Sequence, residues 1–193
     1  LHGRRQCVRG GVGRAHVLPR KADGALLREL FTREGLGTLV SREPYEDVRP
    51  ALPRDVPALL QLLAPLEAQG VLVHRPREVL ENDVDRFRVL ERDGLILACA
   101  AFYPYPADAT GELACVAVHG DYRGGNRGER LLADVERRAR RRGLSAMFAL
   151  TTHTAHWFIE KGFGLADIHD LPPLKRDAYN HARKSKILVK SLN

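Results

Sequence analysis

Aromatic residues make up only 6% of this 193-residue chain, with one tryptophan and one methionine. That is poor material for stacking nucleic-acid bases, and no helix-turn-helix glycine, RNP aromatic or zinc-finger pattern accompanies the basic residues. No nucleic-acid partner is expected. Cysteine is also scarce. Three cysteines are too few, and odd in number, for a disulfide framework. Cys99 and Cys115 sit in apolar runs and read as small core residues. No CxxC pair or His/Cys cluster has metal-ligand spacing, so no metal is expected. The longest clean apolar run, Leu95–Phe102, falls far short of the ~20 residues a membrane helix needs. The N-terminus of this sequence carries arginines but no apolar stretch, so no secretory signal is expected and the cytoplasm is the expected compartment. Both the Gly-Lys-Ser/Thr of a nucleotide loop and GxGxxG are missing.

What remains is an ordinary globular composition, 44% hydrophobic and 28% charged. At roughly 150 residues per domain this is one full domain with a short remainder. The chain opens on Leu1 in mid-pattern, and is expected to be a fragment or an incomplete gene model. The net charge of +7 is unevenly spread, with about +4 over residues 121–142 and about +5 over 175–193. Such blocks suit anionic ligands.

Ala25–Phe31 has helical spacing, Gly35 and Gly37 punctuate, and Gly37–Val40 reads as a strand. A composition break at Ser41–Tyr45 reads as a linker. Beyond it the pattern alternates. Asp47–Leu52 is a strand, Pro53–Ala68 an amphipathic helix (Val56, Leu59, Leu60, Leu63, Leu66), and residues 76–84 a short helix. Phe87–Glu91 and Leu95–Tyr103 flank Asp93-Gly94, a hairpin signal. Glu112–Val118 is a strand, about Gly125–Arg142 a helix, Ser145–Thr151 a strand, Thr154–Lys161 a helix, Phe163–Ile168 a strand and Lys186–Lys190 a last strand, with 173–182 weakly helical. The fold class is α/β, a central mixed sheet with helices on both faces.

The strongest chemical signal is Tyr122-Arg123-Gly124-Gly125-Asn126-Arg127-Gly128-Glu129, between a strand and a helix with the apolar stripe Leu131, Leu132, Val135 and Ala139. Small residues there allow a phosphate close to the backbone, and the first-turn N–H groups with the helix dipole attract it. Arg123 and Arg127 are candidates for charge-assisted bonds. The plain alternative is a glycine-rich turn. The pattern resembles the R-x-x-G-x-G/A acyl-CoA loop of the GNAT superfamily of N-acyltransferases, with Asn126 where that family has glycine. Asn tolerates the left-handed region better than most residues. The resemblance implies a GNAT fold, acetyl-CoA as cosubstrate, no metal, a loop of Arg123, Gly124, Gly125, Asn126, Arg127 and Gly128, and a splayed preceding strand in which Val116 and Val118 meet the pantetheine arm.

Glu112–Val118 (ELACVAV), Gly128–Leu132 (GERLL), Leu150–Thr154 (LTTHT), Ala155–Phe158 (AHWF), Ser185–Lys190 (SKILVK), Leu66–Arg77 (LEAQGVLVHRPR) and Glu29–Thr38 (ELFTREGLGT) look like bacterial N-acetylglutamate synthases. The resemblance implies a GNAT domain over 46–193 and, over 1–44, the last piece of an amino-acid-kinase-like domain. It implies acetyl transfer to the α-amino group of L-glutamate, the first step of arginine biosynthesis. Arg75, Cys115, Arg183 and Ser185 match substrate-binding positions, and arginine grips carboxylates bidentately. Glu112, which opens the strand leading to the loop, is the candidate base, acting through water. The tyrosine many GNAT enzymes use as acid is replaced by Phe158, leaving Thr151 or water to assist a thiolate that is a fair leaving group at a pKa of about 8.5. Trp157 reads as pocket wall, while His153 and His156 carry no assigned role. Glu29 and Gly35 match an arginine feedback-inhibitor site, expected to be incomplete here. Full-length members are expected to be homo-oligomers.

Two other readings stay open. One is a GNAT enzyme for another amine, though a polyamine would want acids where Arg75 and Arg183 stand. The other is an inactive remnant with a regulatory or interaction role, or a basic surface built on Arg137, Arg138, Arg140, Arg141 and Arg142. That run also reads as the solvated, cation-favouring C-terminal end of a helix.

Overall fold

The computed structural model describes residues 14–32, 36–41 and 46–192, and the chain divides into two compact units, Leu1–Tyr45 and Glu46–Asn193. In the first unit, β1 (Arg14–Val17) pairs antiparallel with β2 (Thr38–Ser41), with α1 (Ala25–Phe31) between them in sequence. β1 has no counterpart in the sequence reading. Four residues with two charged or polar side chains carry too little alternation to be seen. The apolar positions of α1 do not form a core. Leu26, Leu27, Leu30 and Phe31 are exposed and only Ala25 is buried. Gly35 and most of the expected linker lie outside the described residues.

The second unit is built on a seven-stranded sheet ordered β3-β4-β5-β6-β7-β9-β8. Its strands are β3 (Asp47–Pro50), β4 (Phe87–Arg92), β5 (Leu95–Tyr105), β6 (Thr110–Val118), β7 (Ala146–Thr151), β8 (Gly164–Ala166) and β9 (Lys186–Ser191). The helices are α2 (Val56–Ala68), α3 (Arg77–Asn82), α4 (Arg127–Arg141), α5 (Ala155–Glu160) and α6 (Pro173–Asp177). Only β6 and β7 run parallel; every other neighbouring pair is antiparallel. The sheet is therefore mixed, as expected. The β4–β5 turn places Asp93 at φ 48° and Gly94 at φ 80°, the two positive angles that a twist-matched two-residue hairpin requires.

Period-2 alternation sends β-strand side chains to two cores. Val56, Leu59, Leu62 and Leu63 of α2 and Leu80 of α3 pack with Val89, Ile96, Cys99 and Ala101 on one face. Leu131, Leu132, Val135 and Ala139 of α4 and Phe158 of α5 pack with Leu97, Ala100, Phe102, Leu113 and Met147 on the other. Pro53 begins a 3-10 turn, and the α-helix proper starts only at Val56. Leu62, absent from the anticipated stripe, is buried, whereas Leu60 and Leu66 are only partly covered.

One buried ion pair fastens α4 to the sheet. Arg88 Nε of β4 donates to Asp134 Oδ2 at 2.6 Å, and the two side chains are 9% and 13% exposed. Arg88 also donates to the Val48 carbonyl at 3.2 Å, and Arg137 reaches the other Asp134 oxygen at 2.9 Å. Removing one member strands a buried charge. Asp134→Ala should cost about 3–5 kcal/mol in urea unfolding, and an apolar replacement of both Arg88 and Asp134 should recover most of that loss. Equal stability of the wild type and Asp134→Ala would show that the pair contributes nothing.

Candidate active site

The site starts from a fault in β6. Cys99 pairs with Ala117 and Ala101 with Ala114, so two residues of β6, Cys115 and Val116, stand against one of β5. Cys115 takes φ 51°, left-handed for a residue with a side chain. This is a β-bulge, which bends and twists its strand. The Cys99 thiol donates to the Cys115 carbonyl at 3.4 Å and pins it. On its other side β6 pairs with β7 only over Thr110–Ala146, Gly111–Met147 and Glu112–Phe148. Beyond Glu112 the strands part, and a pocket of 620 Å³ opens along Leu113–Val118 of β6, the start of α4, and Leu150, Thr151, Thr154, Trp157 and Phe158. Val116 and Val118 line it.

The loop reaches the pocket through Arg123, Gly124, Asn126, Arg127 and Gly128. Gly124 and Asn126 take φ 85° and 53°, so asparagine does adopt the left-handed geometry at the glycine-like position. α4 starts at Arg127 with no side-chain cap, which leaves its first-turn N–H groups directed out of the helix end. The two arginines differ. Arg123 makes no intramolecular ion pair among the described residues. Arg127 donates to Glu46 and, at 2.5 Å, to the Tyr122 carbonyl, so its guanidinium braces the loop. Gly125 does not line the pocket; a Cβ there would collide with the Arg127 guanidinium. At Gly128 an added Cβ would come within 3.1 Å of Trp157 Cζ2. That glycine is needed for the approach of the pocket wall.

Glu112, Arg75 and Arg183 do not line this pocket; Glu112, one residue before Leu113, is buried and its Oε2 lies 2.7 Å from Lys175 Nζ of α6. Glu112 stands directly across from Tyr103 in the β5–β6 ladder. The Tyr103 hydroxyl donates to Asp83 Oδ2 at 3.0 Å. Burial works against the charge of Arg75, but Cys115, Tyr103 and Glu112 around it raise its pKa overall. Glu67, in the last turn of α2, holds the Arg75 N–H at 3.1 Å and His74 at 2.7 Å. Arg183 reaches back to the Gly70 and Val71 carbonyls at 3.1 and 3.2 Å. Arg183 is thus tied to residues 70 and 71, at the start of the loop that carries Arg75. Lys175, Tyr103 and Asp83 escaped the sequence reading. Lys175 sits in a weakly helical stretch without a motif, and only the strand register brings Tyr103 to Glu112.

The remaining candidates fall elsewhere. Thr151 lines the pocket, but its hydroxyl accepts from the Thr154 N–H at 3.0 Å and contacts Thr154 Oγ1 at 2.9 Å. Ser185 lines a second, more open depression with Tyr179, His181 and Ile187, and its carbonyl accepts from the Tyr179 hydroxyl at 2.5 Å. His153 and His156 are exposed. Phe158 is buried between Trp157 and Phe163 in edge-on contacts, so no acid stands at that position. In the first unit Glu29 binds His16 and accepts from the Leu36 and Gly37 N–H groups at 2.8 Å, contacts that hold its carboxyl below the usual range. Among the described residues no group of three or more His, Cys, Asp or Glu could hold a metal, and no helix is long and apolar enough to cross a membrane.

Two measurements probe this geometry. Gly128→Val should remain folded while its affinity for CoA falls about tenfold or more by calorimetry; an unchanged affinity removes the loop from the site. Burial pushes the Cys115 thiol up to about 11, from an ordinary 9.0. The unfolded thiol ionises first, so the folded state holds the extra proton between those values. Stability should fall by about 1–3 kcal/mol as pH climbs from 9 to 11. At pH 8 Cys115 should resist iodoacetamide, read peptide by peptide; rapid labelling in the native protein would contradict the buried bulge.

The profile of the Acetyltransferase (GNAT) family matches residues 56–165. The chain is 52% identical over 187 residues to an amino-acid acetyltransferase of Ectopseudomonas mendocina and 51% identical over 188 residues to one of Mannheimia succiniciproducens. Each match covers 97% of this chain and 43% of the relative, so the chain spans less than half the length of these proteins. N-acetylglutamate synthase from Neisseria gonorrhoeae superposes on 97% of the chain in two complexes. With coenzyme A and N-acetyl-glutamate the TM-score is 0.75 at 44% identity, over 45% of that protein. With coenzyme A and L-arginine it is 0.86 at 42% identity, over 43%. With a bulged, splayed strand leading into a glycine-rich helix start, and with a family profile spanning more than half of its length, this chain belongs to the GNAT acetyltransferase family.

Proposed function

We propose that the chain transfers the acetyl group of acetyl-CoA to the α-amino group of L-glutamate, giving N-acetyl-L-glutamate and CoA. The observation that carries this reading is the Glu112–Lys175 ion pair, one residue before the point where β6 begins to line the pocket. Arg75 lies close enough to Glu112 and Cys115 to feel both. A carboxylate and a guanidinium within electrostatic reach of one another suit a ligand that carries an ammonium and a carboxylate, as an amino acid does. Glu112 already holds an ammonium, that of Lys175, at 2.7 Å, and the α-ammonium of the substrate competes for the same oxygens. Arg183, whose guanidinium donates to the Gly70 and Val71 carbonyls, supplies the second cation that a dicarboxylic amino acid calls for. The N-acetylglutamate and coenzyme A bound to the gonococcal relative support the same assignment.

The loop binds the pyrophosphate through Arg123 and the first-turn N–H groups of α4. Val116 and Val118 flank the pantetheine arm in the opening between β6 and β7. Glu112 removes a proton from the α-ammonium, directly or through one water. The freed amine attacks the thioester carbon, the C–N bond forms, and collapse of the tetrahedral adduct breaks the C–S bond. The thiolate leaves with its electron pair; the second proton of the adduct nitrogen passes by way of Thr151 or water to that thiolate, and Glu112 gives the first proton to solvent.

Residues 1–44 are read, with the same proposal, as the end of an amino-acid-kinase-like domain. Arginine feedback belongs there. Glu29 is the carboxylate that would meet the effector, in competition with His16, and Gly35 lies outside the described residues.

Thiol release from acetyl-CoA, measured against the twenty amino acids, tests the proposal. Glutamate should be the preferred acceptor. Arg75→Gln and Arg183→Gln should each raise the glutamate KM by about ten- to a hundredfold, the equivalent of about 1.5–3 kcal/mol per charged contact, with little change for acetyl-CoA. Glu112→Gln should instead lower kcat, with partial recovery at high pH as the amine deprotonates unaided. Turnover of another amine alone would reassign the acceptor. No turnover at all would leave a non-catalytic remnant.

A further inference from the structure

Glu46 is the first residue of the second unit, just ahead of β3, and nothing in its local sequence marks it. Its side chain is nevertheless only 11% exposed, enclosed by arginines. One carboxylate oxygen lies 2.5 Å from Arg127 Nη2 and 3.2 Å from Arg127 Nε. The other lies 2.9 Å from Arg130 Nη1, and Arg130 also donates to the Glu46 carbonyl at 2.6 Å. Arg92 stands at 4.0 Å, with its guanidinium 4.7 Å from the centre of the Tyr122 ring.

We infer that Glu46 is a positioning residue for acyl-CoA binding: it clamps Arg127 beneath the phosphate loop and so sets the shape in which the loop presents its N–H groups. The geometry allows this because the Arg127 guanidinium does two things at once. It takes the Glu46 carboxylate on one edge and the Tyr122 carbonyl on the other, joining the two ends of the 122–127 loop across its base. It also fills the space behind Gly125, where even a Cβ would collide with it. Without the carboxylate, Arg127 and Arg130 lose the charge they share, and Arg127 is free to turn away from the Tyr122 carbonyl. The left-handed turns at Gly124 and Asn126 then lose their backing. The inference rests on reading this loop as the acyl-CoA site, and it assigns the two loop arginines opposite duties: Arg123 to the ligand, Arg127 to the protein.

Calorimetry with CoA on the full chain tests it, using Glu46→Gln, Arg127→Gln and the double variant. Each single variant should bind CoA about tenfold more weakly, and the double should be no weaker than the worse single, because both remove one clamp. In turnover assays Glu46→Gln should raise the acetyl-CoA KM and keep kcat at saturation, a split that general unfolding would not produce. Glu46→Asp keeps the charge but falls short by one methylene, and should lie between the wild type and Glu46→Gln; it also serves if the Gln variant fails to fold. Additive losses would overturn the clamp. So would a Glu46→Gln protein that binds CoA as well as the wild type, or more tightly because Arg127 has swung to the phosphate. Failure of the wild type itself to bind CoA would overturn the loop assignment together with the clamp, whereas wild-type binding with unaffected variants overturns the clamp alone.

Discussion

Parallel pairing of β6 with β7 ends at Glu112, and the rest of the site depends on that early stop. A sheet whose central strands stay hydrogen-bonded throughout has no interior to offer a ligand, because each N–H and C=O is already matched. Here the bulge at Cys115 twists β6 away, and the Cys99 thiol helps to hold the unfavourable left-handed angle in place. The opening that results has apolar walls from β6 and α5 and, at one end, the uncapped start of α4. An extended ligand with a charged head can lie in it, with its chain along the strand edge and its phosphates at the helix.

Charge is handled differently at the two ends of this opening. At the loop end, Glu46 and the Tyr122 carbonyl hold Arg127, leaving Arg123 to face outward. On the proposed reading, a single outward cation, combined with N–H groups and a helix dipole, binds phosphate without the self-repulsion of two free arginines. At the end proposed for the acceptor, Glu112 pairs with Lys175 and the Tyr103 hydroxyl with Asp83, and Arg75 is within electrostatic reach of Glu112 and Tyr103. Buried charges that compensate one another cost little to keep ionised, and such a network can exchange one partner for a ligand of the same sign. The basic run at the end of α4 plays no part in either end. Arg137 and Arg140 pair with Asp134 and Glu136 of their own helix, and Arg140 also meets the Leu192 carbonyl.

The alternation of strands and helices after residue 46 was readable because each element carries its own periodic signal and its own stop. Val56, Leu59 and Leu63, or Leu131, Leu132, Val135 and Ala139, sit at helical spacing and are buried. The Asp93-Gly94 turn and the left-handed Asn126 were readable for a similar reason, since their backbone angles follow from residue type. The order of strands in the sheet and the bulge at Cys115 were not, because register is a long-range property. Helical spacing in α1 misled: an amphipathic pattern says which face wants burial, and Leu26, Leu27, Leu30 and Phe31 nonetheless stay exposed. Among the site residues, the loop could be found by motif. The duty of Arg127 could not, since its partner Glu46 lies 81 positions away.

That contrast follows from how the two ends are built. The phosphate end is one contiguous stretch, 122–130, braced from behind by a single distant carboxylate. The acceptor end is assembled from the 70–75 loop, β5, the start of β6, α6 and Arg183, and the hydrogen bonds from Arg183 to Gly70 and Val71 span 113 and 112 positions. A contiguous motif can be kept while the rest of a chain diverges, so it marks membership of a family whose members share one cosubstrate. An acceptor pocket drawn from five separate segments changes whenever any of them shifts by a residue. On the proposed reading, the amine accepted is therefore decided by the packing of α6 and the 70–75 loop against the open sheet, and residues such as Lys175 and Tyr103, which carry no motif, bear on that choice as directly as Arg75 does.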